Sequence, residues 1–286
     1  MNRIILGTAN FGNSYGVKNT GKILSKAESG SLIRWAQING INHFDTALAY
    51  GDSTEILSSY LDYSLKPSID TKLNEESCQS RDLIVKIAEE NRDKLGTSQL
   101  SVVYIHDENL LQTSLGPEIT WGFREILDRG IAKKIGVSVY SEESIIACKK
   151  VLPELSVFQV PENICDRRLI DSILMQEFAD MGNELNVRSI FLQGLLLMDP
   201  GLIPPKLRSA RLSVQELTRF AEINSITVLD LCLAYAKSIP WATGLLVGAA
   251  AIEQINEVIS HSAILPEKWS TSISIMPAEL IDPRTW

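Results

Sequence analysis

Four titratable residues of different types follow three successive apolar runs of the chain. Asp45 and Tyr50 follow the first run in INHFDTALAYG, Lys72 ends the second in SIDTKLN, and His106 ends the third in VVYIHDEN. A tyrosine is a poor acid at neutral pH unless a nearby cation favours its phenolate. Lys72 could supply that charge, and Asp45 could keep a partly buried lysine protonated. The four residues therefore predict a site where Tyr50 protonates a carbonyl oxygen while His106 donates a hydrogen bond to it.

Carbonyl reduction at such a site needs a hydride donor, which no protein side chain can be. The chemistry therefore predicts a nicotinamide cofactor. No GxGxxG motif follows the first predicted strand, so the cofactor would have to bind without the loop of doubly wound dinucleotide-binding folds. The stretch GVKNTGKI, residues 16–23, nearly fits a phosphate-binding loop, but Ile23 stands where a serine or threonine must hold magnesium. We interpret it as a polar loop before a helix.

Short β-branched runs alternate with amphipathic stretches along the whole chain, which is typical of βαβ units that form a parallel sheet. Eight parallel strands with crossover helices favour a single-domain (β/α)8 TIM barrel over residues 1–286, and an open doubly wound sheet is the alternative. In such a barrel the chemistry lies at the carboxyl ends of the strands, where the four titratable residues are expected. The predicted strands span residues 3–6, 41–46, 68–73, 100–106, 134–139, 157–160, 187–191 and 243–247.

Two helix starts and one helix end can be predicted from local patterns. Ser25 with Glu28, and Asp52 with Glu55, have the spacing of capping boxes, and Gly40 stands where the first of these helices should end. The predicted buried stripes are Leu32, Ile33 and Ala36 on the first helix, and Ile56, Leu57, Tyr60 and Leu61 on the second.

Two segments are longer than ordinary connections and are predicted to be binding loops over the rim. They span residues 198–212, after the seventh strand, and the C-terminal tail, residues 264–286. Together with residues 107–117 they should form the substrate wall. Because Glu108, Arg188, Arg208 and Arg284 fall in or near these segments, a polar or anionic substrate is expected.

The composition excludes several classes of function. The chain has 286 residues, 45% of them hydrophobic and 22% charged, with a net charge of -8 and a pI near 5.1. This acidic balance argues against nucleic acid as a partner. No apolar run is long enough to span a membrane and the opening residues have no signal-peptide pattern, so a cytoplasmic location is expected. The four scattered cysteines have no metal-ligand spacing and are predicted to be buried thiols, with no metal site.

Along its whole length the chain resembles the aldo-keto reductases. FDTALAYG, TKLN and VYIHDEN match that family's Asp, Tyr, Lys and His tetrad in order, and LGTANFG, IGVSVY, FQVPENICDRR and FLQGLLL fall where the family has related segments. The resemblance implies a barrel that binds NADP(H) across its rim. It also implies that Tyr50 donates the proton, that Lys72 and Asp45 tune it, and that His106 orients the carbonyl substrate.

The same resemblance implies a set of cofactor-binding positions. Four positions depart from the family's commoner residues: Val139 stands for an asparagine, Arg188 for an aromatic residue, and Gly248 and Gln254 for basic residues that hold the 2'-phosphate. The resemblance implies NADP(H), and the last two replacements leave NAD(H) as the alternative. VRSIFLQGLLLMDP also resembles a bacterial group associated with surface polysaccharides, which suggests a sugar derivative as substrate. The implied cofactor contacts are Asp45, Ser138, Gln159, Arg188, Leu192, Gln193, Gly194, Leu195, Gly248, Ala249, Ala250 and Gln254.

Two other functions remain open on the sequence alone. Lys72 could act as a Schiff-base nucleophile in an aldolase-type barrel with Tyr50 as the acid, although the nearby Asp45 favours a charged lysine. The barrel could also keep its cofactor and serve mainly as a redox-sensing partner subunit.

Overall fold

The computed structural model describes residues 3–13, 16–17 and 23–286. Eight parallel strands, hydrogen-bonded in sequence order, form a closed barrel, and β1 pairs with β8 to complete it. The predicted (β/α)8 architecture is therefore confirmed. The loop predicted for residues 16–23 lies mostly outside the described residues. The strands are β1 (Arg3–Gly7), β2 (His43–Asp45), β3 (Ser68–Leu73), β4 (Leu100–Ile105), β5 (Ala132–Ser138), β6 (Val157–Pro161), β7 (Glu184–Arg188) and β8 (Gly244–Gly248).

Helices surround the barrel, and two of them, α8 and α9, lie between β7 and β8. The inner faces of these helices and the outer faces of the strands share one continuous apolar core. The helices are α1 (Ala9–Gly12), α2 (Lys26–Ile38), α3 (Ser53–Tyr60), α4 (Arg81–Lys94), α5 (Gly116–Asp128), α6 (Glu142–Val151), α7 (Ile173–Asp180), α8 (Arg211–Ile223), α9 (Val228–Ser238), α10 (Ile252–Ser260), α11 (Trp269–Ser272) and α12 (Ala278–Ile281).

The predicted seventh strand is wrong by three residues. It was expected at residues 187–191, but β7 runs from Glu184 to Arg188 and stops where Ser189 adopts a left-handed backbone with φ of 61°. Ile190 is fully buried outside the strand, so its apolar character misplaced the prediction. At the other end, Glu184 belongs to the strand through its register with Val157, and its carboxylate pairs with Arg3 and Lys134, each at 2.6 Å. The other seven predicted strands overlap the observed ones.

One of the two predicted capping boxes forms. Ser25 accepts a hydrogen bond from the Glu28 N–H, and the Glu28 carboxylate accepts one from the Ser25 N–H. Asp52 stands at the N-cap of α3, but its side chain makes no cap hydrogen bond, and its carboxylate lies 3.9 Å from Lys26 Nζ instead. Gly40 follows the end of α2 with φ of 87°, as predicted. All the residues of the predicted stripes are buried except Tyr60, which is partly exposed.

The two long segments are more regular than the sequence suggests. Residues 198–212 contain two short 3-10 turns and the start of α8, and the tail contains α11 and α12. Ile273, Met276 and Leu280 of the tail are buried, and the Met276 N–H donates to the Cys165 carbonyl at 2.8 Å. These contacts fix the tail against the barrel, so it is a packed element and not a structureless loop.

Two glycines make room for polar side chains inside the barrel. A Cβ atom on Gly136 would lie 2.5 Å from the Val157 carbonyl oxygen and 2.7 Å from the ring of Tyr104. A Cβ atom on Gly244 would lie 2.5 Å from Asn186 Oδ1. Barrel interiors are usually filled by branched apolar residues. Here the absence of two side chains permits a polar layer below the rim.

The remaining structural expectations concern the cysteines and the membrane. All four cysteines, Cys78, Cys148, Cys165 and Cys232, are free and buried, as predicted. Over the described ranges, no helix combines the length and apolar character needed to cross a bilayer.

Candidate active site

A cavity of about 850 Å³ opens at the carboxyl ends of the strands. Asp45, Tyr50, Lys72 and His106 all line it, so the structure brings the four predicted residues together. They come from three successive strands: Asp45 ends β2 and Tyr50 follows it, Lys72 lies in β3, and His106 follows β4. Cavities at this end of a barrel are the usual place of its chemistry.

The deepest part of this site is a buried ion pair. The Lys72 ammonium donates to Asp45 Oδ2 and, at 3.2 Å, to the Thr46 carbonyl. The other oxygen of the carboxylate, Asp45 Oδ1, accepts from Gln159 Nε2 at 2.5 Å. Lys72 is 3% exposed and Asp45 is 1% exposed, so both charges need these partners. The lysine is thereby held in one position below the tyrosine.

Tyr50 and His106 lie on either side of the opening above this pair. Lys72 Nζ is 5.4 Å from the centroid of the Tyr50 ring, and the rings of Tyr50 and His106 meet edge to face with centroids 6.3 Å apart. A carbonyl oxygen in the cavity could therefore meet a phenol that follows β2 and an imidazole that follows β4, with β3 between these two strands. This arrangement can deliver a proton and a hydrogen bond to the same atom.

The electrostatics of the three groups follow from burial and from the Lys72 charge. Burial raises the pKa of Tyr50, and the Lys72 ammonium opposes that shift without overcoming it. Burial alone would lower the pKa of Lys72, but the Asp45 carboxylate and Tyr50 raise it above its ordinary value. Burial and the Lys72 charge lower the pKa of His106 to about 4. At neutral pH the site therefore holds a protonated phenol, a charged ammonium and a neutral imidazole.

A second polar layer lies below the Lys72 and Asp45 pair. Asp70 Oδ2 lies 2.9 Å from His43 Nε2 and accepts from the Tyr104 hydroxyl at 3.4 Å. Asn186 Nδ2 donates to the same hydroxyl oxygen at 3.3 Å, and the Tyr104 ring is 5.7 Å from Lys72 Nζ. Burial raises the pKa of Asp70, and His43 opposes the shift. Sequence analysis missed this layer because its members come from four strands and form no local motif.

Most of the predicted cofactor positions line the cavity, but three do not. The side chains of Leu192, Leu195 and Ala249 are at most 2% exposed and pack in the apolar core, so only their backbones could face a ligand. Their apolar character explains this placement, since the segment after β7 must cover the core. Those that line the cavity are Asp45, Ser138, Gln159, Arg188, Gln193, Gly194, Gly248, Ala250 and Gln254.

Ala249 and Ala250, two of the implied cofactor contacts, lie just before α10, where free backbone N–H groups could bind an anion. The Ala250 N–H instead donates to Gln254 Oε1 at 2.7 Å, so the Gln254 side chain occupies that donor. Ala251, the N-cap residue, has no side-chain group that could cap the helix.

One side of the cavity, the predicted substrate wall, is formed by residues that are far apart in sequence. Tyr140 follows β5, Arg188 ends β7, and Pro283 and Arg284 come from the tail; all four line the cavity. Of the other predicted wall residues, Arg208 is exposed and does not line it, and Glu108 lies behind it, 3.8 Å from the Arg284 guanidinium. Tyr140 was not predicted, although its place directly after the IGVSV strand is a signal that could have identified it.

Two buried amide oxygens of residues that line the cavity have no hydrogen-bond partner. They are Gln159 Oε1 and Asn10 Oδ1, and both residues line the cavity. Buried polar atoms in folded proteins are nearly always satisfied, so these two indicate positions where a polar ligand or water would bind. In the described part of the chain, no three His, Cys, Asp or Glu side chains are grouped so as to hold a metal ion.

Comparison with known proteins gives a family match along most of the chain. The model of the aldo/keto reductase family matches residues 3–271. No curated protein sequence matches the chain at a significant level.

Among solved structures, the glycerol dehydrogenase of Gluconobacter oxydans is similar, with a TM-score of 0.71 and 22% sequence identity over 94% of this chain and 89% of that one. A thermostable aldo-keto reductase solved with the inhibitor epalrestat has a TM-score of 0.69 and 20% identity over 94% of this chain and 92% of that one. At these identities the likeness shows a shared fold.

Proposed function

Because the chain belongs to the aldo/keto reductase family, through a match that spans residues 3–271, we propose that it reduces an aldehyde or ketone with Tyr50 as the proton donor. Membership makes it an NAD(P)-dependent oxidoreductase that acts on small carbonyl compounds. When bound in the cavity, a nicotinamide would supply the hydride for the carbonyl carbon. The observation that carries the proposal is the cavity in which Tyr50, His106 and the Lys72 and Asp45 pair converge.

The residues of the cavity fit a nicotinamide cofactor. Gln159 Oε1 is buried and has no partner, so it can accept a hydrogen bond from an amide, and Ser138 beside it on β5 is 6% exposed. We propose that Gln159 and Ser138 hold the carboxamide. Gln193, Gly194, Gly248 and Ala250 would bind the remainder of the nucleotide, and Asn10 offers a further unpaired amide oxygen.

Each catalytic side chain has a role that follows from its environment. Tyr50 keeps its proton until the substrate oxygen becomes basic, because burial raises its pKa. The Lys72 charge then stabilises the phenolate that remains, and Asp45 keeps that charge on the lysine. His106 is neutral and can donate one ring N–H to the carbonyl oxygen without competing for the proton.

The Schiff-base alternative is disfavoured by the same ion pair. A nucleophilic lysine must lose its proton, and a lowered pKa makes this possible. Here Lys72 donates to the Asp45 carboxylate and to the Thr46 carbonyl, and its pKa is raised. We therefore propose that Lys72 acts as a fixed positive charge.

The preference between the two nucleotides should be small. NADP(H) is the expected cofactor from the sequence, but Gln254 already occupies the Ala250 N–H at the start of α10. The cations of the described cavity wall, Lys72, Arg188 and Arg284, are not part of that helix start. Titration with NADPH and, separately, NADH, followed by quenching of tryptophan fluorescence, tests this. A sugar derivative as substrate stays a prediction, which a comparison of sugar aldehydes with aromatic aldehydes would test.

Replacement of Tyr50 by phenylalanine tests the proton donor. Tyr50→Phe should lower kcat by about 100-fold or more, the range typical of general acid catalysis, while NADPH still binds. Tyr60→Phe is the matched control, since it removes a hydroxyl from α3 outside the cavity and should leave turnover unchanged. Unchanged turnover in Tyr50→Phe would exclude Tyr50 as the donor. Tight nucleotide binding with negligible turnover in the wild type would favour the redox-sensing alternative.

A further inference from the structure

Arg188 is a cavity cation that lacks a carboxylate partner among the residues the structure describes. Lys72 pairs with Asp45, and Arg284 pairs with Asp282 at 2.7 Å. The Arg188 guanidinium instead donates to the Val139 carbonyl at 3.2 Å and to Ser189 Oγ at 3.4 Å. Its Nε is buried without any hydrogen-bond partner. A guanidinium has five N–H donors, so most of the hydrogen-bonding capacity of Arg188 is unused.

This unpaired charge lies beside the proposed catalytic groups. Arg188 lines the same cavity as Tyr50 and His106. Its positive charge acts to lower the pKa of both groups, although burial keeps the pKa of Tyr50 raised overall. The cavity carboxylates outside the ion pairs, Glu75 and Asp107, are exposed on the rim. They are solvated there and offset the Arg188 charge only weakly, while the carboxyls of Glu108 and Asp282, whose pKa values the Arg188 charge acts to lower, offset it in part without contacting it.

The guanidinium groups of Arg188 and Arg284 both lie against the ring of Tyr140. Arg188 Cζ is 4.2 Å and Arg284 Cζ is 3.5 Å from the centroid of the Tyr140 ring. The Tyr140 ring packs against the Arg188 guanidinium, whose remaining N–H donors without a partner can bind a carboxylate. Glu108 lies 3.8 Å from Arg284, and burial raises the pKa of this carboxyl, so it offsets the positive charge of the wall only in part.

We propose that Arg188 binds a carboxylate on the substrate, so that the enzyme acts on aldehydes or ketones that carry an acid group. This proposal rests on the carbonyl reduction proposed above. It makes Arg188 a specificity-determining residue, because an uncharged substrate would leave the cation without an anion. A phosphate of the nucleotide has the same chemistry for a guanidinium, and the experiment below separates the two sources.

The test compares 4-carboxybenzaldehyde with methyl 4-formylbenzoate, which differ in charge and share the reacting aldehyde. Dissociation constants are measured by calorimetry with oxidised nucleotide present, where no reduction occurs, and kcat/KM is measured with reduced nucleotide. The wild type should favour the acid by about 10- to 100-fold in both, the value of one charge-assisted contact. Arg188→Gln should bring the ratio to about 1, and Arg188→Lys should keep part of the preference.

Arg208→Gln is the matched control, because Arg208 is exposed and outside the cavity, and it should leave the ratio unchanged. Equal treatment of acid and ester by the wild type would overturn the proposal. An equal loss of kcat/KM for both substrates in Arg188→Gln would also overturn it, because it would indicate a structural role. A matching loss of nucleotide affinity would overturn it by assigning the cation to a phosphate of the nucleotide. If neither aldehyde is reduced while the binding preference persists, the proposed reduction fails and the carboxylate site stands.

Discussion

Asp45 on β2 and Asp70 on β3 occupy paired positions on neighbouring strands, and both carboxylates are at most 1% exposed. Both raise the pKa of Lys72, and Asp45 has the larger effect because it accepts a hydrogen bond from the ammonium. Asp70 lies beside His43 instead, at 2.9 Å. The two acids therefore surround one lysine but differ in how directly they hold it.

Neutralising each acid in turn separates these roles. Asp45→Asn should lower kcat/KM for a simple aldehyde by about 100-fold, because Lys72 loses the carboxylate that holds its charge below Tyr50. Asp70→Asn removes the same charge from the lower layer and should cost less than about 10-fold, since the direct contact remains. Steady-state kinetics of both variants test this. Equal losses would mean that charge alone, and not position, sets the activity of the site.

The low pKa of His106 predicts a dependence of stability on pH. Above its ordinary pKa of 6.5 the imidazole is neutral in both the folded and the unfolded chain, so the free energy of unfolding does not change with pH through this group. As the pH falls from 6.5 to about 4, the unfolded chain binds a proton and the folded chain does not, so the free energy of unfolding decreases. His106→Asn should reduce that decrease by about 2 kcal/mol between these pH values, measured by urea denaturation. An unchanged pH profile in the variant would contradict the low pKa.

Glu162 gives the opposite dependence of stability on pH. Burial raises its pKa to about 8, and its two oxygens accept from the Tyr235 hydroxyl at 2.5 Å and the Leu169 N–H at 3.1 Å. The folded chain therefore holds a proton that the unfolded chain loses above its ordinary value of 4.5, and stability decreases as the pH rises from 4.5 towards 8.

Glu162→Gln replaces the protonated carboxyl by a neutral amide, which keeps one of the two acceptor oxygens, and it removes this titration. The variant should resemble the wild type near pH 5 and be more stable than it near pH 8, by about 1 to 3 kcal/mol. Thermal unfolding at the two pH values tests this. A variant that is equally destabilised at both pH values would show that Gln cannot replace the buried carboxyl.

Gly136 should not tolerate a side chain. A Cβ atom there would meet the Val157 carbonyl and the Tyr104 ring, both well inside contact distance. Gly136→Ala should therefore destabilise the barrel by about 3 kcal/mol, the upper range for overpacking. Gly7→Ala is the control in another strand of the barrel, β1, because its Cβ would make only ordinary contacts at 3.6 Å and beyond. Denaturation midpoints compare the two, and similar small losses would show that the interior can relax around Gly136.

The barrel and the four catalytic candidates were predictable from the sequence for a simple reason. Strands and helices leave local periodic patterns, and Asp45, Tyr50, Lys72 and His106 each stand at or just after the end of such a strand pattern. Strand order then follows from parallel βαβ connections. No contact between distant residues had to be known.

The features that were missed depend on tertiary contacts. The end of β7 is set by the backbone of Ser189, which no hydrophobic pattern reveals. The stacking of Arg188 and Arg284 on Tyr140 joins three segments that are remote in sequence. Likewise, the hydrogen bond from the Ala250 N–H to the Gln254 side chain depends on the rotamer of Gln254, which the residue type does not reveal.

The pairing of β1 with β8 has a consequence for how the protein folds. Arg3 pairs with Gly244 and Gly7 with Gly248, so the barrel closes only when residues near opposite ends of the described chain meet. Such non-local contacts slow folding, and they form after the local βαβ units. Because Gly7 and Gly248 both line the cavity, the cavity is incomplete in an unclosed barrel. A nucleotide would therefore slow unfolding of the finished barrel and leave the rate of folding unchanged.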